Sequence, residues 1–328
     1  MTVASEPLSW HQRAIVVDAH CDTLLPLVRG QKTLTQRSEA GHIDLPRLQE
    51  GGVKVQFFAA YVEADYKPDR ALKRAIQLFD VFFEQIREAP QAITPATNMA
   101  EIKTAVAAGQ VAAILAVEGG EAIQGDLGVL RMLYRLGVRS LGLTWNQRND
   151  IADGVGEART RGGLTEFGVK VVQEMNRLGL LVDVAHLSEA GFWDVCDVSE
   201  KPFVASHANS YALCPHRRNL KDEQIQALAE KGGVMGITFA AGFVDEEEKK
   251  ATLARVLDHV EHVVSLVGPD HVGLGSDFDG TRKVAAGLED VTRLPAITEG
   301  LWKRGFGEED VRKILGGNFL RVLEEVMG

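Results

Sequence analysis

Eight short apolar runs, rich in β-branched residues and each followed by an amphipathic stretch, constrain this chain more than any other feature. They are Ile15–His20, Val53–Val62, Val111–Glu118, Ser140–Trp145, Leu180–His186, Phe203–His207, Gly233–Phe239 and His271–Asp277. Runs of this length and composition read as strands. Helical patterns lie between them. In Thr165–Leu178 the residues Val169, Val172, Met175 and Leu178 recur at helical spacing, with Thr165 to cap the start and Gly179 to end it. Ala71–Ala89, Asp222–Lys231 and Ala251–Val267 repeat the scheme, and Glu308–Val326 reads as a closing helix that Gly316-Gly317 can break. Eight strands alternating with helices predict an α/β fold of the (β/α)8 TIM-type barrel class, with residues 1–328 as one domain. A doubly wound open sheet would carry Gly-X-Gly-X-X-Gly after its first strand, and nothing after Val17 has that spacing.

Composition narrows the function classes. A hydrophobic content of 45% with 25% charged residues is that of a soluble globular protein with a sizeable core. The net charge of −10, with no basic block, argues against nucleic acid or an anionic membrane as partner. Cys21, Cys196 and Cys214 are too few and too scattered for a disulfide framework or a zinc knuckle. The N-terminus has no basic segment followed by an apolar one, so no signal peptide is expected, and no apolar run reaches the ~20 residues of a membrane span. A reducing, cytoplasmic location follows as the expectation.

The chemistry-bearing residues fall at the ends of the predicted strands. His20 and Asp22 follow the first, alternation placing both on one face with Asp18, while Cys21 points away. Glu118, His186, His207 and Asp277 end four others. In a barrel these ends converge on one mouth, where active sites of that fold are built. Three histidines and two carboxylates exceed what one catalytic zinc needs, so the count suits two metals sharing a carboxylate. Glu118 is the natural bridge, having two oxygens where an imidazole offers one nitrogen. Paired cations ~3.5–4 Å apart activate water and polarise a carbonyl. That is hydrolase chemistry, and it leaves Asp277 free to move protons. Asp279 shares its face and is the alternative acid. Asp183 differs in parity from His186 and is expected to point toward the helices; His11, His42, His216, His259, His262 and His271 are expected at the surface or as caps.

The segments Asp18-Ala-His-Cys-Asp, Val117-Glu-Gly-Gly, Val184-Ala-His-Leu-Ser, Ser206-His-Ala-Asn-Ser, Arg217-Arg-Asn and Gly275-Ser-Asp-Phe-Asp-Gly resemble, in order, the membrane (renal) dipeptidase family of zinc peptidases. The resemblance runs from about residue 15 to the end and is closest to the soluble microbial branch. It implies two Zn2+ per chain, one held by His20, Asp22 and Glu118, the other by Glu118, His186 and His207, with a metal-bridging hydroxide attacking the peptide carbonyl. It also implies that Arg218 holds the substrate's C-terminal carboxylate, and that Asp277 holds the free amine and protonates the leaving nitrogen. The expected activity is hydrolysis of L-X-L-X and L-X-D-X dipeptides; a homodimer is implied by the resemblance alone. One position departs: family members carry a histidine within Leu-Thr-His, where this chain reads Leu143-Thr144-Trp145-Asn146. Trp145 and Asn146 then become candidate substrate donors, and Tyr211, close after His207, a candidate pocket residue.

Two other readings compete. A metal-dependent amidohydrolase acting on N-acyl amino acids or cyclic amides would share the fold, but many of those bridge their metals with a carboxylated lysine where Glu118 stands. An inactive barrel serving as a binding protein would have lost some of these residues to drift, and none is missing.

Overall fold

The computed structural model describes residues 6–157 and 159–328, so the N-terminal reading of residues 1–5 lies outside the described residues. The strands are Val16–Asp18 (β1), Val53–Tyr61 (β2), Ile93–Pro95 (β3), Val111–Glu118 (β4), Val138–Gly142 (β5), Leu181–Asp183 (β6), Val204–Ala208 (β7), Val234–Ile237 (β8) and Val272–Leu274 (β9). All pair in parallel. Eight of them close a ring, β1-β2-β4-β5-β6-β7-β8-β9, sealed where β9 meets β1 and β2 meets β4. Helices fill the gaps between strands. The fold is the TIM barrel.

The eight expected runs supply those eight strands. The ninth, β3, was not legible: three residues ending in Pro95 carry no periodicity. It occupies Val111–Ala113 of β4, just before β5 takes over that edge from Leu115.

Alternation across the pleat sorts the apolar side chains into two cores. In β4, Ala112, Ile114 and Ala116 join one buried cluster, whereas Val111, Ala113, Leu115 and Val117 join the other. The first cluster, with Val17, Val55, Phe57, Leu181, Val204 and Val234, fills the barrel and meets Phe319 and Val322 of the closing helix. The second lies between the strands and the surrounding helices. Glu118 shares the parity of Ala112, Ile114 and Ala116, so β4 delivers it to the inside at the mouth.

Local signals set the helices. Glu166–Leu178 is capped by Thr165, whose side chain accepts from Gly168 N–H, and stops at Gly179 with φ 75°. Leu253–Val267 starts under a Thr252 cap and ends at Gly268, φ 81°. The closing segment breaks as expected into Glu308–Arg312 and Asn318–Met327. Between them Gly316 lies against β1: a Cβ there would stand 2.1 Å from the Ile15 carbonyl oxygen. Among the described residues no helix is long and apolar enough to cross a membrane.

Two expectations about histidines fail. His11 and His259 are buried, not superficial. Each ring is satisfied, His11 by Thr298 Oγ1 and the Gly51 carbonyl, His259 by Ser210 N–H and the Val244 carbonyl.

Candidate metal centre

Glu118 is the last residue of β4, whose alternation aims it inward, whereas His207 lies in β7 where the register shifts between Ala205 and Ala208, so that irregularity and not plain alternation turns it into the barrel. His20, Asp22, His186 and Asp277 stand just beyond the ends of β1, β6 and β9, because those strands are shorter than their apolar runs. There the chain turns sharply. His186 and Asp277 have φ of 68° and 62°, in the left-handed region. Such conformations cost on the order of 1–3 kcal/mol and cluster at functional sites.

The turns correct two parity arguments. Val17 and Ala19 pack in the inner core, so Asp18 falls with Val16 on the outer side of the wall, not with His20 and Asp22. It accepts from Ser276 N–H and Oγ–H, from the Gln56 amide and from His20 N–H. Asp183 shares the inner parity of Leu181 and does not point toward the helices. Counting alternation from His20 and His186 fails because the backbone leaves strand geometry before it reaches them.

The six residues are buried and converge. Glu118 divides its oxygens: Oε1 lies 2.8 Å from His186 Nε2 and 3.6 Å from His207 Nε2, while Oε2 lies 3.8 Å from His20 Nε2. Asp22 Oδ2 is 3.4 Å from the same His20 nitrogen. The two nitrogens of His186 and His207 are 2.9 Å apart. Donor atoms of His20, Asp22 and Glu118 form one compact group, those of Glu118, His186 and His207 a second, and those of His20, His207 and Asp277 a third.

Further residues fix which nitrogen faces the centre. His186 Nδ1 donates to Asn146 Oδ1 at 2.9 Å. His207 Nδ1 donates to Ser206 Oγ at 2.9 Å, and that hydroxyl donates to Asp183 Oδ2. Both imidazoles therefore present a bare Nε2 toward Glu118. Such outer partners hold ring orientation and ligand basicity. Gly280 adds clearance: a Cβ there would stand 2.0 Å from Asp22 Oδ2 and 2.3 Å from Asp277 Oδ1.

The electrostatics favour a cation. Burial works against a charged His20, yet Glu118, Asp22 and Asp277 outweigh it and raise the ring to about 10. Burial also opposes an ionised Glu118, but His20, His186 and Arg218 hold it at about 2. Burial and Glu118 raise Asp22 to about 6. Burial pushes Asp277 well above the carboxylate range, with His20 pulling against it. His186 is lowered to about 3 by burial and Arg218, and burial lowers His207 as well. His20 Nε2 and Asp22 Oδ1 are buried without a hydrogen-bond partner. Imidazole nitrogens and carboxylate oxygens in this arrangement fit borderline divalent cations such as zinc.

Against known proteins, the family profile described as Membrane dipeptidase (Peptidase family M19) matches residues 8–327. The chain belongs to the membrane dipeptidase family. It is 37% identical over 296 residues to the dipeptidase aclJ of Aspergillus oryzae, covering 87% of this chain and 70% of that protein. A crystal structure of a dipeptidase AC, a metallopeptidase of this family, superposes with a TM-score of 0.90 at 35% identity over 96% of this chain and 99% of that one. A Rhodobacter sphaeroides metallopeptidase bound to a phosphinate mimic of L-Ala-D-Ala superposes with a TM-score of 0.89 at 34% identity, covering 95% and 99%. The chain is a peptide-bond hydrolase of this metallopeptidase family.

A cavity of about 480 Å³ opens over the centre, lined by Asp22, Glu118, Trp145, His186, Arg218 and Asp277 among others. Arg218 is buried; among the described residues its guanidinium donates only from Nη2, to the His207 carbonyl, and Nε is left unpartnered. Burial lowers it to about 10, which leaves it a cation at neutral pH. Trp145 packs between Tyr61, at 5.2 Å between ring centroids, and His186, at 5.8 Å. Lys67 Nζ lies 5.3 Å from the indole centroid. Asn146 lines the cavity, and its Oδ1 holds the His186 ring, which leaves the Nδ2 amide as the donor it can offer a substrate. Tyr211 lies outside this cavity, on an adjoining one. Asp279 is excluded as the acid: Lys32 Nζ at 2.6 Å, Thr23 and His42 hold it as a carboxylate well below its ordinary range. Sequence reasoning missed Ser206 and Asp183, and nothing in a lone Asp three residues before a histidine signals that role.

Proposed function

We propose that this chain is a zinc-dependent dipeptidase, one catalytic domain holding two Zn2+ that share Glu118. His20, Asp22 and Glu118 would hold one ion, and Glu118, His186 and His207 the other. The observation that carries this reading is the division of Glu118, one oxygen toward His186 and His207, the other toward His20. Two such cations lower the pKa of a water and polarise a carbonyl.

The chain's own residues do the rest. Arg218, its Nε unpartnered, grips the substrate's α-carboxylate, a planar cation matched to a planar anion. Asp277, across the cavity, receives the free amine and passes a proton to the leaving nitrogen. Trp145 offers an indole N–H that cannot titrate, where relatives of the resemblance carry histidine. A site that reads both termini disfavours longer peptides, which leave one anchor unpaired. The substrates are L-X-L-X and L-X-D-X dipeptides, and the D-configured mimic bound by the Rhodobacter sphaeroides relative supports the second class. Three buried free cysteines accord with a reducing, cytoplasmic setting.

The test is amino-acid release from L-Ala-L-Ala and L-Ala-D-Ala by the zinc-loaded protein. Cleavage of both that a chelator abolishes and zinc restores is the expected result. Metal bound with no dipeptide cleaved would contradict the reading and direct the search to N-acyl amino acids and cyclic amides.

A further inference from the structure

We propose that a second cavity, opening off the metal centre, receives the side chain of the substrate's C-terminal residue, and that its basic rim selects acidic side chains there. The proposal rests on the dipeptidase reading and specifies its substrate class.

The cavity measures about 580 Å³ and shares His186, Arg217 and Arg218 with the cavity over the metal centre. Asp277 lines only the latter. With the amine at Asp277 and the α-carboxylate at Arg218, the N-terminal residue lies over the metals. The C-terminal Cα then stands at the junction, and its side chain has the second cavity before it.

The rim carries an excess of positive charge. Arg161 and Arg217 line it, both exposed, and among the described residues neither side chain makes an ion pair or hydrogen bond. Lys221 is already tied to Glu189, at 2.8 Å. Glu157 is the one other carboxylate on the lining. Two uncommitted guanidiniums against one carboxylate favour an anion, and a guanidinium meets a carboxylate in two parallel hydrogen bonds. Trp193 and Tyr211, 37% and 39% exposed, stand on the same lining. Large aromatics left open at a cavity offer apolar surface to the methylenes that carry such an anion.

The experiment compares kcat/KM of the zinc-loaded enzyme for L-Ala-L-Glu and L-Ala-L-Gln, which match in shape and differ in charge. Wild type is expected to favour the Glu peptide about tenfold, mainly through KM, the advantage shrinking with added salt because the arginines are exposed. In the R161Q/R217Q double variant the ratio is expected to approach one; being internal to each enzyme, it does not depend on the fraction folded. Equal kcat/KM in wild type, or an advantage that survives in the double variant, overturns the subsite. L-Ala-L-Ala tells the two failures apart: its cleavage without a Glu preference overturns the subsite alone, and no cleavage of any of the three overturns the dipeptidase reading with it.

Discussion

Glu118 has two oxygens and three histidines to serve, and its place at the end of β4 lets it reach all of them. Arg218 is the other residue whose setting dictates a role, a buried cation whose Nε is left uncommitted. Arg218→Ala is expected to raise KM about 10- to 100-fold for dipeptides with a free carboxylate, the effect of losing a charged hydrogen bond. Amidated dipeptides should lose much less, and equal losses on both would show that Arg218 is not the anchor. His20, Glu118, His186, His207 and Asp277 were legible because each ends an apolar run, and Asp22 because it follows His20 at two residues' spacing. Asp183 and Ser206 were not, because their role depends on β6 lying beside β7. Asp279 shows the same limit: its neutralising partner, Lys32, lies 247 positions away in sequence.

At the scale of elements, caps and glycine stops made the long helices readable, and Gly316 broke the last one where the chain meets β1. Lengths of β1, β6 and β9 were not readable, since apolar character continues past the last ladder hydrogen bond. The helix Leu253–Val267 carries a further consequence in His259. Its Nδ1 accepts from Ser210 N–H, which ties down the start of the segment that bears Arg218. Burial, offset by the Val244 carbonyl, lowers His259 from 6.5 to about 4. Between those values the unfolded chain binds a proton that the folded chain refuses, so stability is full above pH 6.5 and falls as pH drops toward 4. The loss should reach about 3 kcal/mol. Urea unfolding at pH 7 and pH 4.5 measures it, and His259→Gln should flatten that part of the dependence; an unchanged pH profile in the variant would contradict this assignment.

At the scale of the whole molecule, the barrel brings residues from positions 20 to 277 to one mouth through the closure of β9 on β1 and β2 on β4. Eight runs in order, with no phosphate-binding glycine pattern after the first, predicted that closure, because parallel strands joined by helices bury both faces either in a barrel or in an open doubly wound sheet. The shapes of the loops around the mouth were beyond such reasoning, and with them the second cavity. The central claim is that this closure builds a two-ion centre divided by Glu118. Anomalous diffraction at the zinc absorption edge, from crystals grown with zinc, tests it most directly. Two peaks are expected, one beside His20, Asp22 and a Glu118 oxygen, the other beside the second oxygen, His186 and His207. A single peak, or none at Glu118, would contradict it.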